Sequence, residues 1–242
     1  MQIRIASWNI WQGRHVDSII EILRDTHADI IALQEVTERI LDGIPINTAK
    51  QITEQLGYHV YFGKAFHTDR HTPEYDFGNA VLSKFPILHT DTHMLSTLES
   101  YTKNSETEPR NATEIQIEVD NIPVRILSTH LGYSDTLGEG DLQIFQTKKL
   151  LEITPSEKTL ILGDFNSTPE STVIQLMTGK MKNLNPNSNT PTWTDMRTED
   201  QPTYHIDYLF ASSDINASKV TNKKYESSDH SILIADIELT HD

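Results

Sequence analysis

The sequence predicts a mixed α and β fold in a single domain over 1–242, and three patterns carry that prediction. Segments of period-two alternation are interleaved with segments whose apolar residues recur at helical spacing. Two nearly continuous apolar runs, "ADIIALQEV" and "TLIL", have the composition of strands covered on both faces. A third signal is a pair of alternating runs joined by an Asp-Asn dipeptide, which reads as a hairpin.

The elements follow in order. "QIRIAS" alternates Ile3 and Ile5 as a strand. "VDSIIEIL" places Val16, Ile19, Ile20 and Leu23 on one helical face. "ADIIALQEV" is the first doubly covered strand, and "NTAKQITEQL" is a helix that stops at Gly57. "HVYF" and "NAVLS" are short strands. "ATEIQIEV" and "IPVRILSTH" form the hairpin about "DN", with Ile115, Ile117 and Val119 facing one way. "GDLQIFQTKKLLEI" is helical. Thr168 followed by Pro169 predicts an N-cap and first helical residue, opening a helix through Met177 that ends near Gly179. "HIDYLF" and "SILIADIEL" are the last strands, and two polar stretches, "STLESYTKNSETEPRN" and "NLNPNSNTPTWTDMRTEDQPT", read as loops.

Composition narrows the function. No apolar run reaches membrane-spanning length, and the N-terminus lacks the regions of a secretory signal, so a cytoplasmic location is expected. The chain has no cysteine, which excludes disulfides, thiolate catalysis and Cys-ligated zinc. A formal net charge of -15 opposes non-specific binding to long nucleic acid, although a bound metal ion can reverse the field locally. His67 and His71 are four apart, but "HTDRHTPEY" has no helical apolar face and meets Pro73, so a loop is expected there instead of a zinc site. Trp8 and Trp11 bracket Asn9, as strand packing or as a rim aromatic.

Polar residues of chemical use recur at the ends of the strands. "IASWN" ends in Asn9, "IALQE" in Glu35 and "ILSTH" in His130. "LILGDFN" breaks from apolar to polar at Gly163 and delivers Asp164 and Asn166; "HIDYLF" carries Asp207, and "SSDHSILI" puts Asp229 and His230 ahead of a strand. One acid at a strand end is ordinary turn chemistry. So many ends in one chain, with no thiolate and no Ser-His motif, predict one shared site.

The ordered set "SWN", "LQEV", "GNAVLSKFPI", "STHLG", "GDFNSTP", "IDYLF" and "SDH" resembles the endonuclease/exonuclease/phosphatase superfamily, the DNase I-like fold, over nearly the whole chain. The resemblance implies a four-layer α/β/β/α sandwich, two mixed sheets face to face with helices outside and a cleft at one edge. It implies a phosphoester hydrolase dependent on Mg²⁺ or Mn²⁺, more a phosphodiesterase than a monoesterase, with water attacking a metal-bound phosphate. Mg²⁺ takes oxygen ligands and few carboxylates. Glu35 is the expected metal anchor, Asn9 a metal or phosphate neighbour and Asp229 a second metal neighbour. Asp164 would orient or deprotonate the water, and Asn166 would contact the phosphate. Asp207 would hold His230 in one tautomer, leaving His230 and His130 to face phosphoryl oxygens. Arg110 is expected as a phosphate contact, and His205, two residues before Asp207, as a substrate-binding group on the same face.

Two departures from the abasic-endonuclease branch stand out. That branch carries an acid where this chain has Trp11, and it lacks a histidine at the place of His130. The expected substrates are therefore a nucleic acid, a phospholipid head group or a small phosphoester, with no stable membrane insertion and no protein partner. "TPTWTDM", with Trp193 and Met196, offers a small apolar loop for a lipid reading. The alternatives are a phosphomonoesterase of the same fold and a catalytically silent binding module.

Overall fold

In the computed structural model the described residues are 1–41, 44–69, 74–97, 109–185, 190–196 and 198–240. The elements in chain order are β1 (Gln2–Asn9), a 3-10 turn (Trp11–Gly13), α1 (Val16–Thr26), β2 (Ile30–Leu41), β3 (Ile44–Asn47), α2 (Thr48–Leu56), β4 (His59–Thr68), β5 (Tyr75–Ser83), β6 (His89–Ser96), β7 (Arg110–Val119), β8 (Ile122–His130), α3 (Asp141–Ile153), β9 (Thr159–Asp164), α4 (Thr172–Thr178), β10 (Lys182–Asn183), β11 (Trp193–Thr194), β12 (Thr203–Tyr204), β13 (Asp207–Ala211), β14 (Asn216–Lys223) and β15 (Ile232–Glu238). One mixed sheet runs β14-β15-β1-β2-β5-β4, with β3 on the end of β2, and a second runs β10-β13-β9-β8-β7-β6.

Period-two alternation assigns each strand's side chains to two layers. Ile30 and Ala32 face the other sheet, packing with Ile115, Ile117, Leu160 and Leu162. Their neighbours Ile31 and Leu33 face outward, under Ile19, Leu23 and Ile52 of α1 and α2. On the second sheet Leu127, Ile161 and Phe210 are covered by Leu150, Val173 and Met177 of α3 and α4. The result is the expected four-layer α/β/β/α sandwich. The continuous apolar composition of β2 and β9 follows from burial on both faces.

The hairpin joins β7 to β8 through Asp120 and Asn121, both at positive φ (50° and 62°), the backbone of a type I′ turn. α2 is capped by the Asn47 side chain, which accepts from Lys50 N–H, and ends at Gly57 in the left-handed region. α4 begins later than Thr168-Pro169 predicts. Thr168 belongs to a turn, accepting from Ser171 N–H at 3.0 Å, and Ser171 caps the helix by accepting from Ile174 N–H at 3.4 Å. Ser171 spends its backbone N–H on the Thr168 turn and offers its hydroxyl as the cap, so the helix start moves past Pro169.

β6 and β14 were invisible to pattern reading. Both are edge strands, "HTDTHMLS" and "NASKVTNK", and each lacks the apolar face that makes a strand legible. His67 lies in β4, bonded to Asp76, while His71 lies outside the described residues. Among the described residues no helix is long and apolar enough to cross a membrane.

Two parallel pairs place the site. β1 and β2 run parallel, as do β8 and β9: Asn9 at the end of β1 is level with Gln34, and His130 with Asp164 at the ends of β8 and β9, while β2 does not end at Glu35 as expected but continues to Leu41. β13 is antiparallel and starts where β9 ends, putting Asp207 beside Asp164 in register, with His130 beside Asp164 on the other side. Gly163 makes this register possible: a Cβ there would sit 1.9 Å from the Thr129 carbonyl oxygen of β8. Gly163→Ala is therefore expected to destabilise the protein by about 3 kcal/mol or more, the upper end for overpacking because the obstacle is backbone. Urea unfolding of the variant against wild type measures it.

Candidate active site

Local backbone geometry gathers six segments, those carrying Asn9, Glu35, His130, Asp164, Asp207 and His230, into one cluster. β2 carries a bulge between Leu33 and Val36, and within it Glu35 adopts φ 57°, which swings its side chain out of the sheet and into the cleft. Asn166 stands at φ 48°, so the chain after Asp164 is not extended. Its backbone N–H instead folds back onto Asp164 Oδ1 at 2.8 Å, a local Asx-type bond that brings both side chains to the cleft. Trp11 and Gln12, just past Asn9, are also left-handed (φ 49° and 59°). Such conformations in non-glycine residues concentrate where function holds them.

Asp164 is the hub. Its Oδ2 accepts from Asn9 Nδ2 at 3.1 Å and lies 3.5 Å from His130 Nε2 and 3.6 Å from His230 Nε2. Asn9 Nδ2 also donates to Glu35 Oε1 at 3.2 Å, so one amide links carboxylates from the two sheets. The Asn9 oxygen accepts from Trp11 N–H at 3.1 Å. Asn9, expected as a metal or phosphate neighbour, thus offers its nitrogen to the two acids. His230 Nδ1 donates to Asp207 Oδ2 at 2.9 Å, the expected base-orienting pair. Asn166 Nδ2 donates to the Leu131 carbonyl at 3.0 Å and meets His130 Nε2 at 3.1 Å. Ser228 locks the last segment in place: its hydroxyl donates to Asn9 O at 2.7 Å and accepts from His230 N–H at 3.0 Å.

These residues open onto a cavity of about 430 Å³ lined by Glu35, Arg110, His130, Asp164, Asn166, Asp229 and His230 among others. Asp207 stands behind His230. Arg110 is buried, its guanidinium 5.6 Å from the Phe77 ring. His205 does not join them. It is buried away from the cleft, its Nδ1 against the Thr190 carbonyl at 2.9 Å and its Nε2 against Asn185 at 3.2 Å. The shared face inferred from its spacing to Asp207 requires extended chain, but β13 begins only at Asp207.

Trp193, which the sequence offered only as a hint of an apolar loop, stands at the cavity. Instead of projecting toward a lipid surface, it pairs across the short β11–β12 ribbon with Tyr204, the rings stacked at 5.9 Å and 15°. Its indole N–H donates to Asp229 Oδ2 at 3.2 Å. Asp229 Oδ1 is buried and, among the described residues, has no hydrogen-bond partner. Trp8 is core, donating to the His230 carbonyl at 3.1 Å.

Electrostatics divide the two histidines. Burial works against the His230 imidazolium, but the charges of Asp207 and Asp164 and the Asp207 hydrogen bond outweigh it, raising its pKa to about 10. Burial lowers His130 well below the ordinary value, with Arg110 and His230 adding repulsion. Burial raises Glu35 and Asp164; the His230 charge opposes both shifts, while Asp229 adds to the first and Asp207 to the second.

Within the buried group Asp164, Asp207 and His230, ligand atoms lie within 4.8 Å of one another, a spacing compatible with an ion. The His230 Nδ1 proton is already committed to Asp207, however, and an imidazolium does not ligate. Glu35 with Asp229 is the better fit for a cation. Both are carboxylates, Glu35 accepts a hydrogen bond only from Asn9 among the described residues, and Asp229 leaves one oxygen bare. An oxygen-only pair of this kind suits Mg²⁺ or Mn²⁺.

A family model described as the Endonuclease/Exonuclease/phosphatase family matches residues 6–230. Among solved structures, the chain is similar to an endonuclease/exonuclease/phosphatase from Beutenbergia cavernae (19% identity, TM-score 0.79, covering 98% of this chain and 72% of that one). It is also similar to the human Nocturnin catalytic domain with bound sulfate (19%, 0.72, 99% and 94%) and to a mannosyl-6-phosphatase from Bacteroides thetaiotaomicron (15%, 0.71, 98% and 100%). No curated protein sequence matches the chain.

Asp207→Asn removes the charge that chiefly raises His230. In the metal-free variant the His230 titration is expected to fall by at least about one unit and that of Asp164 to fall with it, since both shifts share the Asp207 charge. NMR of the imidazole and carboxyl carbons against pH measures both signs.

Proposed function

The chain belongs to the endonuclease/exonuclease/phosphatase family, and on that premise we propose that it is a divalent-cation-dependent phosphodiesterase. The carrying observation is the convergence of Glu35, Asp164, His130 and His230, from both sheets, on one cleft. Glu35 and Asp229 would hold Mg²⁺ or Mn²⁺, which when bound supplies positive charge to the phosphate oxygens.

The chain's own groups do the rest. Asp164, raised by burial and placed between two histidines, accepts the proton of the attacking water. His230, kept protonated by Asp207, donates from Nε2 to a phosphoryl oxygen as charge builds there. His130 stays neutral, and Asn166 and Arg110 complete the oxygen contacts. Asn9 keeps Glu35 and Asp164 at fixed separation.

Charge balance favours the diester. Four carboxylates (Glu35, Asp164, Asp207 and Asp229) stand at the cleft, against Arg14, Arg110 and a protonated His230. One divalent ion turns that net negative charge of one into a positive charge of one, which matches the single charge of a diester better than the two of a monoester dianion.

Bis-p-nitrophenyl phosphate hydrolysis is expected to require Mg²⁺ or Mn²⁺, to cease with EDTA and to return on metal addition. Glu35→Ala and His230→Ala should each lower kcat/KM by about 100-fold or more. Equal turnover in wild type and both variants would leave a binding module. p-Nitrophenyl phosphate as the better substrate would instead make the protein a monoesterase.

Trp193→Phe keeps a ring against Tyr204 but removes the bond to Asp229. Mn²⁺ affinity by calorimetry is expected to weaken about tenfold, the size of effect seen when a group orienting a metal ligand is lost. Unchanged affinity would remove Asp229 from the metal site.

A further inference from the structure

Past the reacting cluster, one wall of the cavity is built from Trp11 and Arg14, with Tyr133 lining it from the loop after β8. The turn carrying Trp11 is strained, with Trp11 and Gln12 both left-handed. Trp11 belongs to none of the three apolar cores, although its neighbours Trp8 and Ile10 do, so packing does not explain the strain. The Asn9 side chain holds the Trp11 N–H, which ties this turn to the two central acids. The Arg14 guanidinium lies 4.3 Å from the Trp11 ring centroid. Among the described residues Arg14 meets no carboxylate, in a chain with 35 acidic side chains.

We propose that the Trp11–Arg14 wall is a subsite for a flat ring on the alcohol side of the substrate, and that the substrate is a nucleotide-sized ester bearing a base. This rests on the phosphodiesterase reading above. Stacked indole and guanidinium planes are surfaces on which bases lie, and the free charge of Arg14 suits an anion. A cavity of about 430 Å³ has the size of a small-molecule site. A long polyanion would meet the -15 field of the whole protein. A sugar phosphate fits less well because its hydroxyls need many partners. Away from the reacting cluster the cavity lining offers Leu137 and Ile206, with Gln12 as a neutral amide, and the Tyr133 hydroxyl is engaged by Asp135 at 3.1 Å.

Binding in EDTA tests the subsite without turnover. By calorimetry, adenosine 5′-monophosphate is expected to bind wild type about tenfold tighter than ribose 5-phosphate, the scale of one base-stacking contact. Trp11→Leu, which keeps the backbone N–H to Asn9, and Arg14→Gln, at an exposed position, should each bring the two ligands to within about twofold. Equal binding of both ligands by wild type, tighter binding of mannose 6-phosphate, or equal loss of both ligands in either variant would overturn the subsite. Base preference without hydrolysis would defeat the phosphodiesterase reading alone; hydrolysis of bis-p-nitrophenyl phosphate without base preference would defeat the subsite alone.

Discussion

Everything at the cleft answers to one constraint: acids from two sheets are gathered where water is scarce. Asp164 and Asp207 are almost fully buried, adjacent in register, and each must be compensated or protonated. The compensation is specific. Asp207 has the His230 imidazolium, Asp164 has the Asn9 amide and the Asn166 N–H, and Glu35 shares that same Asn9 amide. Asp229 has the Trp193 indole for one oxygen only. The hydrogen bonds hold the carboxylates in position without neutralising them, so the charge left over points to a cation.

That constraint also explains where the backbone departs from regular geometry. A regular β2 would keep Glu35 in the pleat, and the bulge at φ 57° turns it out. An extended chain after Asp164 would leave its Oδ1 without the Asn166 N–H. A side chain at Gly163 would force β8 away from β9 and separate His130 from Asp164. Each of these three sits within a residue or two of a charged group. The rigid sandwich supplies the stiffness that keeps such conformations occupied.

The sequence made individual strands legible where burial is two-sided or alternating, while their stacking as a sandwich followed from the family resemblance. β2 and β9 announced themselves by unbroken apolar runs, and the β7–β8 hairpin by alternation about Asp120-Asn121. Edge strands β6 and β14 did not, because a solvated edge imposes no pattern. Among the polar residues, those at strand ends could be gathered from their positions, since parallel neighbours bring them level. His205 could not be placed, because its direction depends on two irregular residues before β13. Trp193 was equally hidden: its partner across β12 and its bond to Asp229 join segments far apart in the chain.

The paired histidines show how one fold obtains opposite behaviour from one residue type. Both are buried to a similar degree, so burial pushes each toward the neutral form. His230 has Asp207 on Nδ1 and Asp164 near Nε2, and two acids reverse the push. His130 also lies near Asp164, but Arg110 and the charged His230 stand beside it and reinforce the push. The asymmetry thus arises from two neighbours, the carboxylate of Asp207, which β13 places behind one ring and not the other, and the Arg110 charge beside His130. A proton held on His230 also keeps His130 neutral by repulsion. The cleft then presents one charged donor and one neutral ring across Asp164, which suits a reaction in which water loses a proton on one side while phosphate gains charge on the other.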